Sequence, residues 1–187
     1  MTAPASEPAW VYDVLRFWFD ELGRKAWFVK DAAVDAQIRA RFLPLIEDLA
    51  TRLADEALTS ADRALATVIV LDQFPRNVFR GEARAFATDA VALEVARAAI
   101  ARGLDQHVPA DRRVFLYLPF EHSEELADQE RCIELTKALG DEEYARYAVL
   151  HRDVIARFGR FPHRNVALGR TPTLEELTFL KEPGSSF

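Results

Sequence analysis

The chain has 187 residues, 50% of them hydrophobic, so it can bury a substantial core, and one large domain is expected in place of two very small ones. Acidic residues outnumber basic ones by 30 to 24. The net charge of -6 argues against nucleic acid as a partner, because phosphate contact needs a clustered positive field. No stretch approaches the roughly 18 apolar residues of a membrane span, and Met1 to Pro8 lacks the basic start and apolar run of a signal peptide. A cytoplasmic protein with no membrane contact is therefore expected, with residues 1–8 as a flexible tail.

Helical spacing dominates the pattern, and no alternation of useful length marks a strand. A first helix is expected over Trp10 to Asp20, carrying Val11, Val14, Leu15, Phe17 and Trp18. A second begins after Asp31 as N-cap and runs to about Ala57, with Pro44 kinking or dividing it. Ser60 caps a third, which carries Leu65, Val68, Ile69 and Asp72 until Pro75 interrupts it. A fourth spans Ala85 to Arg102 and is closed by Gly103; a short fifth covers Asp111 to Leu118 and stops at Pro119. The sixth runs from Ser123 to Leu139 before Gly140. Asp141 caps the seventh, which ends at Phe158 before Gly159. A loop rich in Pro and Arg leads to an eighth helix, where Thr173 and Glu176 have capping-box spacing. The expected architecture is all-α, about eight helices packed in antiparallel pairs within a single domain.

Polar residues interrupt the apolar faces of three of these helices. Asp72 continues the stripe of Leu65 and Val68, and Gln73 the edge of Ile69. A buried carboxylate needs a cation or hydrogen-bond donors, and Arg76 and Arg80 are the nearest candidates, meeting it from the loop after Pro75. On the sixth helix His122 and Gln129 share a face with Leu126 and Ile133, flanked by Glu124, Glu125 and Asp128. On the seventh, His151 sits in a stripe with Tyr144, Tyr147, Ile155 and Phe158. Each histidine alone reads as a core histidine satisfied by a neighbour. Together they suit a ligand site built from facing helices. Arg157, Arg160, His163, Arg164 and Arg170 then concentrate positive charge in an acidic chain, as a carboxylate or phosphate ligand would require or as a solvated basic loop would show. An internal echo links Phe74-Pro75-Arg76-Asn77-Val78 to Phe161-Pro162-His163-Arg164-Asn165-Val166, either as two similar helix-stopping turns or as two halves of a related site.

Metal binding finds little support. His122 and Glu125 have helical spacing and His151 offers a third donor, but neither the paired motif of di-iron bundles nor the two-histidine helix of zinc proteases is present. No metal or cofactor is expected. Ser123 reads as a helix cap and no glycine-framed serine occurs, so nucleophilic catalysis has no signature either. Cys132, the single cysteine, lies among apolar helical residues and reads as a buried, inert thiol.

Three long segments carry a family resemblance: Leu71-Asp72-Gln73-Phe74-Pro75-Arg76-Asn77 with Phe79-Arg80-Gly81, Phe115 through Glu124, and Arg157 through Asn165. In this order they resemble the bacterial domain of unknown function 924 family, over nearly the whole chain from the Trp18 region to Phe179. The resemblance implies a tetratricopeptide-like α-α superhelix, although the chain shows no 34-residue repeat signature. It implies no activity, ligand or catalytic residue.

Three functional expectations follow from the residues. In the first, a small anionic molecule or acidic peptide end is bound in a pocket made by Asp72, Arg76, Asn77, Arg80, His122, Gln129, His151, Arg160, His163, Arg164 and Asn165. In the second, a hydrolase or isomerase uses His122 or His151 as general acid or base on an anionic metabolite. In the third, the polar cluster is structural and fixes how two helical halves pack. Aromatics between Trp10 and Phe28 suit core packing or a homodimer contact.

Overall fold

The computed structural model describes residues 6–52 and 54–185, so residues 1–5 of the expected tail lie outside the described residues. Those residues form an all-α structure with no strand. Among the described residues no helix is long and apolar enough to cross a membrane.

Helix α1 (Ala9–Leu15) continues through wider π-helical turns over Arg16–Leu22, burying Val11, Val14, Phe17 and Trp18. Asp31 caps α2 (Ala32–Leu49), its carboxylate accepting the Ala33 amide at 2.7 Å. Pro44 does not divide α2 into separate elements, contrary to that part of the expectation. It lies on the exposed face, as does Ala40 one turn earlier, so the carbonyl that loses its partner faces water. The helix stops at Leu49, and Ala54–Ala57 is a separate turn, α3.

Ser60 caps α4 (Ala61–Val68), and here the expected interruption at Pro75 does not occur. The chain passes through a π-helical segment, Ile69–Gln73, directly into α5 (Phe74–Val78). The Phe74 amide reaches back to the Ile69 carbonyl, a widened turn that accommodates the proline ring. The Leu71 carbonyl, which Pro75 cannot serve, accepts the Thr88 hydroxyl instead.

The expected fourth helix is divided into a 3-10 turn at Ala83–Phe86 and α6 (Asp89–Ala101). The fifth is a run of short turns, α7 (Ala110–Arg113), Val114–Leu116 and α8 (Leu118–Glu121). Pro119 opens α8 instead of ending a helix, since a first-turn proline forfeits no helical bond. Next come α9 (Leu126–Leu139), α10 (Glu142–Phe158), a 3-10 turn at Pro162–Arg164 and α11 (Leu174–Phe179). Gly140 and Gly159 take the left-handed conformation, at φ of 75° and 66°, that closes α9 and α10. The capping box of Thr173 and Glu176 forms as expected.

The core is aromatic. Phe74 packs against Phe42 and Trp18 with ring centroids 4.9 and 5.7 Å away, and Trp18 meets Phe115 edge-on at 5.7 Å. A smaller cluster gathers Val154, Ile155 and Phe161 with Phe158 and Phe179. Along α10, Tyr144 and Ala148 belong to the main core and Val154 and Ile155 to the small one, so His151 sits between two apolar bodies. Tyr12 and Phe28 are exposed, whereas Phe17 and Trp18 belong to the core. Replacing Phe74 with Ala is expected to cost about 3–5 kcal/mol in urea unfolding. Val166→Ala, at a side chain that is 91% exposed, should change stability by less than about 0.5 kcal/mol.

Candidate acid-base site

Asp72 is the deepest charge in the molecule's polar cluster, with no exposed surface. The π-helical turn that admits Pro75 also carries Asp72, so its side chain enters the interior beside α8. There the Nδ1 of His122 lies 2.8 Å from Asp72 Oδ1, the Gln73 amide donates to Oδ2, and the Arg76 guanidinium stands 3.6 Å from Oδ1. Burial by itself would raise the Asp72 carboxyl; His122, Arg76 and the Gln73 bond outweigh it and hold it at about 2. Burial, aided by the Arg76 charge, pushes the His122 imidazole below its ordinary value against the pull of Asp72. The pair is therefore an ionised carboxylate accepting the Nδ1–H of a neutral imidazole, which leaves the Nε2 lone pair available. The His122 side chain is 15% exposed, so the ring connects the buried carboxylate to the surface.

Two guanidiniums face this pair, one from each copy of the echoed motif. Arg76 grips Asp89 with two bonds of 2.8 and 2.9 Å. Arg164 stands 3.5 Å from the same carboxylate and donates to the His122 carbonyl at 3.0 Å. It is sandwiched between Phe86 and Phe161, 4.7 and 4.5 Å from the ring centres. Its Nε–H has no acceptor among the described residues. Burial and the neighbouring Arg76 lower its pKa to about 10, which keeps it charged at neutral pH. The first copy of the echo is not a helix-stopping turn, because α5 runs through it, and both copies bring an arginine to Asp89.

Behind His122 lies His151, 6.5 Å away between ring centres and 5.7 Å from Phe161. Its Nδ1–H donates to the Tyr147 carbonyl at 2.9 Å, and burial holds it neutral by depressing its pKa to about 3. Burial does the same to His163, with Arg164 and Arg76 adding to the effect. Glu121 Oε1 is 3.5 Å from His151 Nδ1. Burial, then the charge of Asp72, pushes Glu121 up to about 8, so it is a neutral carboxylic acid at pH 7. Cys132 is buried, and burial also pushes its thiol up, in keeping with an inert role.

Several expected members lie elsewhere. Because the helix continues past Pro75, Arg80 falls two turns beyond Asp72 and pairs with Asp35 at 2.8 and 3.0 Å, where Asn77 also donates. Arg160 grips Glu176 at 2.6 and 2.8 Å, Asn165 joins the same carboxylate, and Arg157 pairs with Glu175. Arg170 and Glu124 form a two-bond pair. The sixth helix starts at Leu126, so His122 precedes it and Leu126, 45% exposed, is not part of an inward stripe. Ser123 donates to Asp128 rather than capping a helix that begins beside it. Gln129 is buried but spends its amide on the carbonyls of Glu121 and Ser123, both at 2.6 Å, which positions the His122 turn. Tyr147, 40% exposed, leaves the His151 stripe. Asp89 and Glu121 were not anticipated: an acid in the first turn of a helix reads as a dipole partner, and Glu121 is buried in a short helix, Leu118–Glu121, that runs past the stop expected at Pro119.

The family model described as bacterial protein of unknown function (DUF924) matches residues 14–184. A solved structure, the protein of unknown function ATU0120 from Agrobacterium tumefaciens, is similar to this chain with a TM-score of 0.88 and 46% sequence identity, over 92% of this chain and 97% of that one. No functionally curated protein matches.

The raised Glu121 carboxyl has a sign that can be measured. Unfolded, it titrates near 4.5, and folded, near 8, so between those values the native state holds the extra proton. The stability Glu121 confers as an acid is complete below pH 4.5 and is lost as pH rises to 8, at about 1.4 kcal/mol per pH unit. The difference in unfolding free energy between the wild type and Glu121→Gln should fall across that window and be flat on either side.

Proposed function

The chain belongs to that bacterial family, and from this premise we propose that it carries out a general acid-base step on a small metabolite bearing a carboxylate or phosphate, with His122 as the base. The observation that carries this reading is the 2.8 Å contact between His122 Nδ1 and a carboxylate with no exposed surface. A carboxylate at Nδ1 selects the tautomer with a free Nε2 and stabilises the imidazolium formed when that nitrogen takes a proton. In this mechanism His122 Nε2 removes a proton from the substrate or from a water, Asp72 holds the charged ring, and the proton returns to the product or leaving group. Arg164 is the anion contact, because it stands 3.5 Å from a carboxylate that Arg76 already grips and its buried Nε–H makes no hydrogen bond among the described residues, while Arg160, Arg170 and Arg80 each hold a carboxylate of their own. Asp89, itself held by Arg76, orients Arg164 and balances part of its charge. His151 lines the interior side of the ring pair.

Those same quenched arginines favour a second reading, in which the cluster is purely a packing network between the two apolar bodies. The two are separated by screening a library of carboxylates and phosphate monoesters for turnover by NMR with wild type, His122→Ala, His151→Ala and Asp72→Asn. The acid-base reading expects turnover of at least one compound, reduced about a hundred- to ten-thousandfold in His122→Ala with the fold retained by circular dichroism. No turnover by wild type, with the variants differing only in a lower unfolding midpoint, would establish the packing network.

A further inference from the structure

A cavity of about 280 Å³ opens between the end of α6, the turn at Leu104–His107, α7 and α9. It shares no residue with the cluster around His122. Asp105, Gln106, Arg113 and Tyr117 supply its polar wall, and Ile100, Leu135 and Leu139 its apolar one. Its size is near the lower end of small-molecule sites, roughly that of an amino acid.

The charges in that wall are unusual in being apart. Asp105 is only 3% exposed. Its Oδ2 accepts the Tyr117 hydroxyl at 2.8 Å and the Gln106 amide at 2.7 Å, while its Oδ1 has no hydrogen-bond donor and the carboxylate no ion pair among the described residues. Oδ1 is thus the oxygen of this carboxylate left open to water or to a ligand, and a carboxylate so placed favours a cationic partner. Arg113 likewise has no carboxylate partner among the described residues; it donates to the Val108 carbonyl at 3.1 and 3.3 Å and to Gln106 Oε1 at 3.4 Å. An acid and a guanidinium thus line one cavity without an ion pair between them, linked through the neutral side chains of Gln106 and Tyr117. Arg131, at the rim, is already engaged by Glu134 at 2.7 Å. The α6 helix ends at the cavity with Ile100 and Gly103, so its negative end adds to the field of Asp105.

We infer that this cavity binds a free α-amino acid with an aliphatic side chain, its ammonium on Asp105 Oδ1, its carboxylate on Arg113 and its side chain against Leu135 and Leu139. A ligand carrying both charges supplies an ionic partner to each of two groups that make no ion pair with each other, whereas an amine or an acid alone supplies only one.

Isothermal titration calorimetry of the full chain with L-leucine, isoamylamine and isocaproate tests this directly. Leucine should bind, and each single-charge analogue should bind about ten- to a hundredfold more weakly, as should leucine to Asp105→Asn and to Arg113→Gln. Leu139→Trp, which fills the cavity without altering a charge, should abolish binding and keeps the test decisive if Asp105→Asn misfolds. Absence of leucine binding to wild type, binding of isoamylamine as tight as that of leucine, or full leucine affinity in Leu139→Trp would overturn the assignment.

Discussion

A carboxylate with no contact to water must be compensated from all sides, and Asp72 imposes that demand on the helices around it. His122 answers from the turn after α8, Gln73 and Arg76 from the same helical run, and Asp89 from the start of α6 balances Arg76. Arg164 closes the circuit from the far end of the chain by binding both Asp89 and the backbone of His122. The arrangement joins segments that are 92 residues apart in sequence, from Asp72 to Arg164. Its members also bridge the large aromatic core and the small cluster around Phe161. The polar layer therefore serves packing whatever else it does. Removing a single partner from such a set typically costs about 3–5 kcal/mol, because the remaining charge stays buried.

Positive charge in the last third of the chain is largely spent before any ligand arrives. Arg157, Arg160 and Arg170 are each held by a glutamate, and in the first half of the chain Arg80 is likewise held by Asp35. The echo between the two Phe-Pro motifs extends to this accounting: Asn77 and Arg80 share one carboxylate, Asn165 and Arg160 share another, and Arg76 and Arg164 share a third. Charge density along a sequence is thus a poor guide to available charge, since acids from distant helices neutralise it locally. What distinguishes Arg164 is its position between two aromatic faces with an unused donor.

Much of the fold was legible because helix signals are local. The caps at Asp31, Ser60, Asp141 and Thr173 and the closing glycines at 140 and 159 all act where spacing places them. Asp72 and His151 were legible as buried polar groups for the same reason. Prolines misled, each for its own reason: Pro44 faces water, Pro75 rides a widened turn whose spare carbonyl is served from another segment, and Pro119 begins a turn. Continuing the helix past Pro75 redirected Arg80 to Asp35, and the late start of α9 took His122 off the helix assigned to it. Asp89, Glu121 and the Asp105 cavity depend on contacts between segments distant in sequence, which no spacing rule encodes.

The missing amide of Pro75 has a reach beyond its own turn. An ordinary residue there would offer the Leu71 carbonyl a local donor in competition with the Thr88 hydroxyl. Thr88 immediately precedes Asp89, the carboxylate on which both echoed arginines converge. By leaving one acceptor free, the proline keeps a mooring point open for a segment thirteen positions downstream, the one that carries the arginines' shared carboxylate.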